Sequence, residues 1–277
     1  MGLPVVGYTI IEAKLETLVQ LKNLCMEFHD KGGKKNIAVD DVSFDIFSGE
    51  TFGLAGPSPS GKSTIGRVIL GLIKPTSGRI LFEGKDITQL DELQLLLLRR
   101  KMQMVFQNPL SSLNPRKTIG SSLELPLINF KLGSSKERKH RIAELLRTVG
   151  LEPKHAERYP HEFSGGQAQR IGIARALAAD AKFIFLDEPV SALDVSIQAQ
   201  ILNLLKDLQD KFNLTFLFVA NNLNVVQYFS DRVAIIREGK ILELSSTAEL
   251  FKNPQNSYTK ELLSAVLSLH SKGSKDD

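Results

Sequence analysis

The chain has 277 residues and a single cysteine, Cys25. A disulfide within the chain and a cysteine-built zinc or iron–sulfur site are therefore excluded, and a reducing compartment fits. Long apolar runs are missing as well. The longest of them, such as 214–220, fall far short of the ~20 residues of a membrane-spanning helix. The N-terminus has no basic stretch ahead of an apolar one, so it does not read as a secretory signal. Gly2 follows Met1, yet Val6 stands where N-myristoylation requires Ser or Thr. Charge of one sign is scarce too. Lys and Arg number 35 against 31 Asp and Glu, a formal net charge of +4, with no long basic block. That balance argues against a dedicated nucleic-acid binder. The chain is expected to be soluble and cytoplasmic, with any membrane role coming through a partner.

What the chain does carry starts at residues 56–64, Gly-Pro-Ser-Pro-Ser-Gly-Lys-Ser-Thr. They match G-x-x-x-x-G-K-[ST], the phosphate-binding P-loop. The context fits: 51–55 is a short apolar run suited to a buried strand, and 64–73 has apolar residues on one helical face. Backbone N–H groups of Ser60, Gly61, Lys62, Ser63 and Thr64 would ring a polyphosphate at the helix N-terminus, where the helix dipole favours negative charge. Lys62 would reach the β- and γ-phosphates, and Ser63 would ligate Mg2+. Gly56, Pro57, Ser58 and Pro59 complete the loop that would bind ATP.

Around this loop the pattern is α/β. Residues 1–16 read as an extension. Strands are predicted over 18–28, 38–46 and 50–55, an antiparallel opening, and then over 79–82 and 102–106. Helices are predicted over 93–100, 135–149 and 170–179, so a helical subdomain of about 107–178 is inserted between two halves of the core. The β/α rhythm then returns, with strands over 182–186, 214–219, 232–237 and 241–244 and helices over 195–212 and 223–229. The main domain is drawn at 17–268 and the tail, 269–277, is expected to be disordered.

Two further motifs carry chemistry. The apolar run 183–186 ends in Asp187 and Glu188. Alone, such a pair is an ordinary strand-end cap. Beside a P-loop it is where a nucleotide hydrolase holds Mg2+ through an Asp, a role that suits Asp187. Glu188 is then placed to polarise a water for attack on the γ-phosphate. The second motif is Phe163-Ser164-Gly165-Gly166-Gln167. Its glycines let backbone approach a phosphate closely, Ser164 adds a hydroxyl donor, and a helix beginning near Ala168 adds its dipole. By itself this would be a helix-capping turn.

Together these motifs resemble, in order and spacing over about 17–265, the nucleotide-binding subunits of ABC transporters. Ser164–Gln167 lies in a match to that family's signature. Gln107 is similar to its Q-loop glutamine, which also reaches the metal, and Asp194 to its D-loop aspartate. Segments 111–120, 158–167 and 253–263 resemble the oligopeptide/dipeptide importer branch. The resemblance implies a P-loop NTPase core of the ABC ATPase kind, with an antiparallel β subdomain and an inserted α-helical subdomain. It implies a transport ATPase working with ATP and Mg2+. Two such subunits would close head to tail over two ATP molecules. Each ATP would lie between one chain's P-loop and the other's Ser164, Gly165, Gly166 and Gln167. Two transmembrane permease subunits would dock near 107–120, an extracytoplasmic substrate-binding protein would deliver cargo, and no nucleic acid is implied. The chain would sit peripherally on the cytoplasmic face of the membrane. Phe28 stands where the family stacks an aromatic ring on adenine, with plain core packing the open alternative.

Two residues depart from the family. Pro59 replaces a glycine or other small residue, and proline has no N–H to offer a phosphate. Asn221 stands at the switch-histidine position, where it is shorter, uncharged and unable to carry a proton. Both fall on the same composite site, while the signature is intact. The expectation is an asymmetric heterodimer in which this chain's own site binds ATP but hydrolyses slowly. Glu188 argues partly against that, since a dead site often loses its glutamate. Alternatives are a nucleotide-binding regulatory subunit with negligible hydrolysis, or an ATPase serving nickel or another small solute. A non-transport ABC ATPase is disfavoured, because no coiled-coil insertion or second ATPase domain is evident.

Overall fold

The computed structural model describes residues 16–29 and 32–272. The expected extension (1–16) and tail (269–277) lie outside the described residues, apart from Glu16 and 269–272. The chain opens with β1 (Thr17–His29) and β2 (Lys35–Phe47), paired antiparallel. Next come β3 (Thr51–Ala55), helix α1 (Lys62–Ile69), β4 (Ser77–Phe82), β5 (Lys85–Asp86), α2 (Glu92–Lys101) and β6 (Met102–Val105). Helices α3 (Ile119–Asn129), α4 (Ser135–Thr148) and α5 (Gly165–Leu177) follow, with short 3-10 turns between. The chain continues as β7 (Phe183–Asp187), α6 (Val195–Phe212), β8 (Thr215–Ala220), α7 (Leu223–Phe229), β9 (Arg232–Arg237) and β10 (Lys240–Ser246). It closes with α8 (Thr247–Lys252) and α9 (Ser257–Lys272).

Two sheets result, in the orders β2-β1-β4-β5 and β10-β9-β3-β8-β7-β6. The second is parallel from β9 to β6, with β10 antiparallel at its edge. Parallel strands covered on both faces are nearly continuous apolar runs, and every residue of β3, β7 and β8 is buried. Side chains alternate between the faces of a strand, and here the alternation feeds two cores. Phe52, Leu54, Phe183, Phe185, Leu217 and Val219 pack toward α1 and the antiparallel sheet. Ala55, Ile184, Leu186, Phe216 and Phe218 pack on the other side, among residues of α3, α4, α5, α6 and α7.

The structure moves several predicted boundaries. Helix α1 begins at Lys62 rather than 64 and ends at Ile69 rather than 73. Gly71 adopts φ +64, its N–H reaching Val68 O at 3.0 Å while Leu72 N–H reaches Arg67 O at 2.9 Å. This paired Schellman closure stops the helix. Helix α5 begins at Gly165 rather than near 168 or 170, because Ser164 and Gln167 form a reciprocal cap. Helix α3 was not predicted at all. It carries Gly120 and Pro126, yet Ile119, Leu123 and Leu127 recur at helical spacing and are buried.

Candidate active site

The loop of residues 56–61 joins β3, at the centre of the main sheet, to α1. Its two glycines are demanded by close neighbours. A Cβ at Gly56 would lie 2.0 Å from the Ile236 carbonyl oxygen, and one at Gly61 would lie 2.1 Å from that of Ala38. Gly61 also adopts φ +97, a conformation open to glycine at little cost. Gly239 N–H donates to Ser60 O at 3.2 Å, tying the loop to the β9–β10 turn. The first-turn N–H groups of α1 have no intrahelical acceptor and form an anion-seeking end.

Lys62 is buried, and its ammonium donates to Gly56 O and Pro57 O at 2.8 Å and to Ser60 Oγ at 3.2 Å. Burial holds its pKa below the ordinary lysine value, against the pull of Glu188 and Asp187. All three ammonium donors are thus spent on neutral oxygens. Ser63 Oγ donates to Asp187 Oδ1 at 2.6 Å, and an Arg67 guanidinium nitrogen lies 3.7 Å from Asp187 Oδ2. Burial raises the Asp187 carboxyl above its usual range, opposed by Ser63, Arg67 and Lys62. Arg67 was missed in the sequence, although it lies four residues after Ser63 and so on the same helical face.

Strands β6, β7 and β8 run side by side, with Val105 opposite Leu186 and Asp187 opposite Val219. Their carboxyl ends therefore deliver Gln107, Glu188 and Asn221 to one edge, the usual ligand-binding edge of a parallel sheet. Glu188 adopts φ +48, and its N–H donates to Val219 O at 3.0 Å. Its Oε1 accepts from Asn221 Nδ2 at 2.6 Å and its Oε2 from Gln107 Nε2 at 3.2 Å. Gln107 Nε2 also donates to Ser191 Oγ at 3.1 Å. The sequence reading assigned Gln107 and Asn221 to the site, but not to the same carboxylate.

Phe28, next to the last residue of β1, is 41% exposed and lines a cleft of about 500 Å3 with Ile37, Pro59, Gly61, Thr64 and Gly239. It is not a core side chain. Ser164 caps α5, its Oγ accepting Gln167 N–H at 3.4 Å and its N–H donating to Gln167 Oε1 at 3.2 Å. Added Cβ atoms would lie 3.2 Å from Leu193 at Gly165 and 2.7 Å from Ile197 at Gly166. These glycines therefore also permit close packing of the two helix ends. Among the described residues, no hydrogen bond joins 164–167 to the loop 56–64. Asp194 caps α6, accepting Ile197 N–H at 3.0 Å and Ser196 Oγ at 2.9 Å, and these donors lower its pKa.

A phosphate-seeking helix end, a serine–aspartate pair beside it and a held glutamate define a P-loop nucleotide hydrolase. The pattern of the ABC transporter family matches residues 39–191, and the chain belongs to that family. It is 53% identical over 253 residues to an oligopeptide transport ATP-binding protein, OppF, of Bacillus subtilis (strain 168), covering 91% of this chain and 83% of that one. It is 50% identical over 252 residues to a dipeptide transport ATP-binding protein, DppF, of Lactococcus lactis subsp. cremoris (strain MG1363), covering 90% and 81%. Among solved structures, the dimeric ATP-binding cassette MJ0796 bound to ADP and Pi is similar, with a TM-score of 0.76 and 35% identity. That match covers 83% of this chain and 99% of the other. No described helix is long and apolar enough to cross a membrane.

Proposed function

We propose that this chain is the ATP-hydrolysing subunit of a membrane importer for oligopeptides or dipeptides. The Ser63–Asp187 pair beside Glu188 carries the reading, and the names of its relatives support the cargo class. Two such subunits, this one and a second ATPase, close head to tail. They drive two permease subunits fed by an extracytoplasmic binding protein, with the chain peripheral on the cytoplasmic face of the membrane.

Phosphates enter at the α1 N-terminus and offer Lys62 an anion in place of its three neutral acceptors. The hydroxyl of Ser63 and the carboxylate of Asp187 are hard oxygen donors suited to Mg2+. With Gln107 Oε1 they would hold it, and bound Mg2+ supplies neutralisation of charge on the β- and γ-phosphates. Among the described residues no group of three or more His, Cys, Asp or Glu could hold a metal. Mg2+ of this kind needs none, since it takes one or two protein oxygens and leaves the rest to phosphate and water. Glu188 polarises the water whose oxygen attacks the γ-phosphorus as the bond to the β–γ bridging oxygen breaks. Phe28 gives adenine an exposed ring, and Ser164–Gln167 serve the partner's ATP. Pro59 withholds one N–H from the phosphates, so this chain's own site turns over slowly.

The test is ATP hydrolysis and labelled-peptide uptake by the assembled transporter. Glu188→Gln should leave MgATP bound and stop turnover at this site, while Pro59→Gly should raise it. Hydrolysis unchanged by Glu188→Gln would overturn the enzymatic assignment, and uptake indifferent to peptides would overturn the cargo.

A further inference from the structure

We propose that Asn221 is a positioning residue for Glu188, its amide fixing the carboxylate through a 2.6 Å hydrogen bond. This rests on the reading of Glu188 as the water-polarising residue.

Three observations carry it. Glu188 sits at φ +48, outside the strand conformation. The alternation of β7 therefore does not fix where its side chain points, and contacts do. Of its two carboxylate oxygens, Oε2 accepts from Gln107, which divides the same nitrogen with Ser191. Oε1 accepts from Asn221, whose side chain has this one hydrogen bond among the described residues. A short bond to a charged acceptor is the stronger kind. Asn221 is itself anchored. It follows Ala220, the last residue of β8, which pairs with Ala55 of β3, and Glu188 N–H is tied to Val219 O on the same strand. The donor and the carboxylate are thus held by adjacent strand ends.

The charged groups that couple to Glu188 are Lys62 from α1 and Asp187 from its own strand. Gln107 from the end of β6, Ser191 from the turn after β7 and Asn221 from the end of β8 are neutral. Burial lowers the Lys62 pKa and raises that of Asp187, while the amides and the hydroxyl stay neutral between pH 6 and 8. An imidazole at residue 221 would change charge within that range, whereas an amide donates throughout it.

The experiment measures ATP turnover from about pH 6 to 8.5 by the full chain in its assembled transporter, with the second subunit's own hydrolysis silenced. ATP affinity is followed in parallel with a fluorescent nucleotide. Asn221→Asp keeps the shape but sets a second carboxylate against Glu188. Its kcat should fall about tenfold or more with KM for ATP within about twofold. Asn221→Ala should likewise lower kcat with little change in KM. Asn221→His should introduce an inflection near pH 6.5. Turnover that needs Glu188 but is the same for Asn, Asp and Ala at residue 221 would overturn this inference alone. Turnover indifferent to Glu188→Gln would overturn the role of Glu188 and this inference with it.

Discussion

Arg232→Ala removes the guanidinium that faces Glu50 inside the fold. Glu50 Oε1 accepts Phe47 N–H at 2.6 Å and Arg232 Nη1 at 3.1 Å, with Oε2 at 3.4 Å from the same nitrogen. Arg232 also donates to Asp45 O at 3.1 Å and lies 4.7 and 5.3 Å from the Phe47 and Phe52 ring centres. The two side chains keep 24% and 10% exposure, so the pair is largely out of water. Removing one partner of a buried pair costs about 3–5 kcal/mol. The arginine is partly wet and the carboxylate keeps its backbone donor, so the low end, about 3 kcal/mol, is expected. Burial already holds the Glu50 carboxyl above its ordinary range, against Phe47 N–H and Arg232. A carboxyl whose folded pKa exceeds its unfolded one takes up protons more readily when folded. Its ionisation therefore lowers stability as pH rises from the unfolded value to the folded one, and not beyond. Without Arg232 the folded value climbs further. The loss should be larger at pH 7 than at pH 5 and shrink toward pH 4.5, the ordinary value. Urea unfolding at pH 7 and pH 5 reads this directly, and the melting temperature at pH 7 should drop by roughly 6–10 °C. Adding Glu50→Gln should return about 1 kcal/mol or more at pH 7, since the stranded charge is gone. Equal losses at both pH values, or no return from Glu50→Gln, would refute the reasoning.

Phe28→Ala should weaken ATP binding about three- to tenfold, the worth of one aromatic stack, with Phe28→Tyr near wild type and the melting temperature unmoved. Nucleotide titration showing no loss would return Phe28 to a packing role. Glu83 is held by Lys101 at 2.5 Å and Lys182 at 2.7 Å, and these bonds lower its pKa. Glu83→Gln should therefore cost about 0.5–1 kcal/mol at pH 7, and the difference should close as pH falls below 4.5 through the lowered folded value. A penalty independent of pH would mean that packing, not charge, does the holding.

Much of this was legible along the chain. Helices α6 and α7 and strand β9 run over the residues their patterns predicted, because each is bounded by a capping or turn residue and has one clear period. Helix α3 was hidden by Gly120 and Pro126, whose local preference yields to the burial of Ile119, Leu123 and Leu127. The start of α5 was hidden in the same way, by glycines that read as loop until Ser164 caps them. In the site, loop and carboxylates were visible as motifs. The meeting of Gln107 and Asn221 on Glu188 was not, since it depends on the register of three strands distant in sequence. Nor could the sequence choose between surface and core for Phe28, a matter of where β1 ends relative to the loop.

The way β7 parcels out its side chains also explains how two adjoining acids avoid competing. Asp187 shares the parity of Phe183 and Phe185, which look toward α1, and there it meets Ser63 and Arg67. The backbone turns away at the next residue, and Glu188 meets amides from the neighbouring strand ends instead. Peptide-bonded neighbours are thus assigned to separate surroundings, one facing a hydroxyl and a guanidinium, the other facing two amides. An inserted or deleted residue within the strand would turn Asp187 away from Ser63 and Arg67 before it touched either acid.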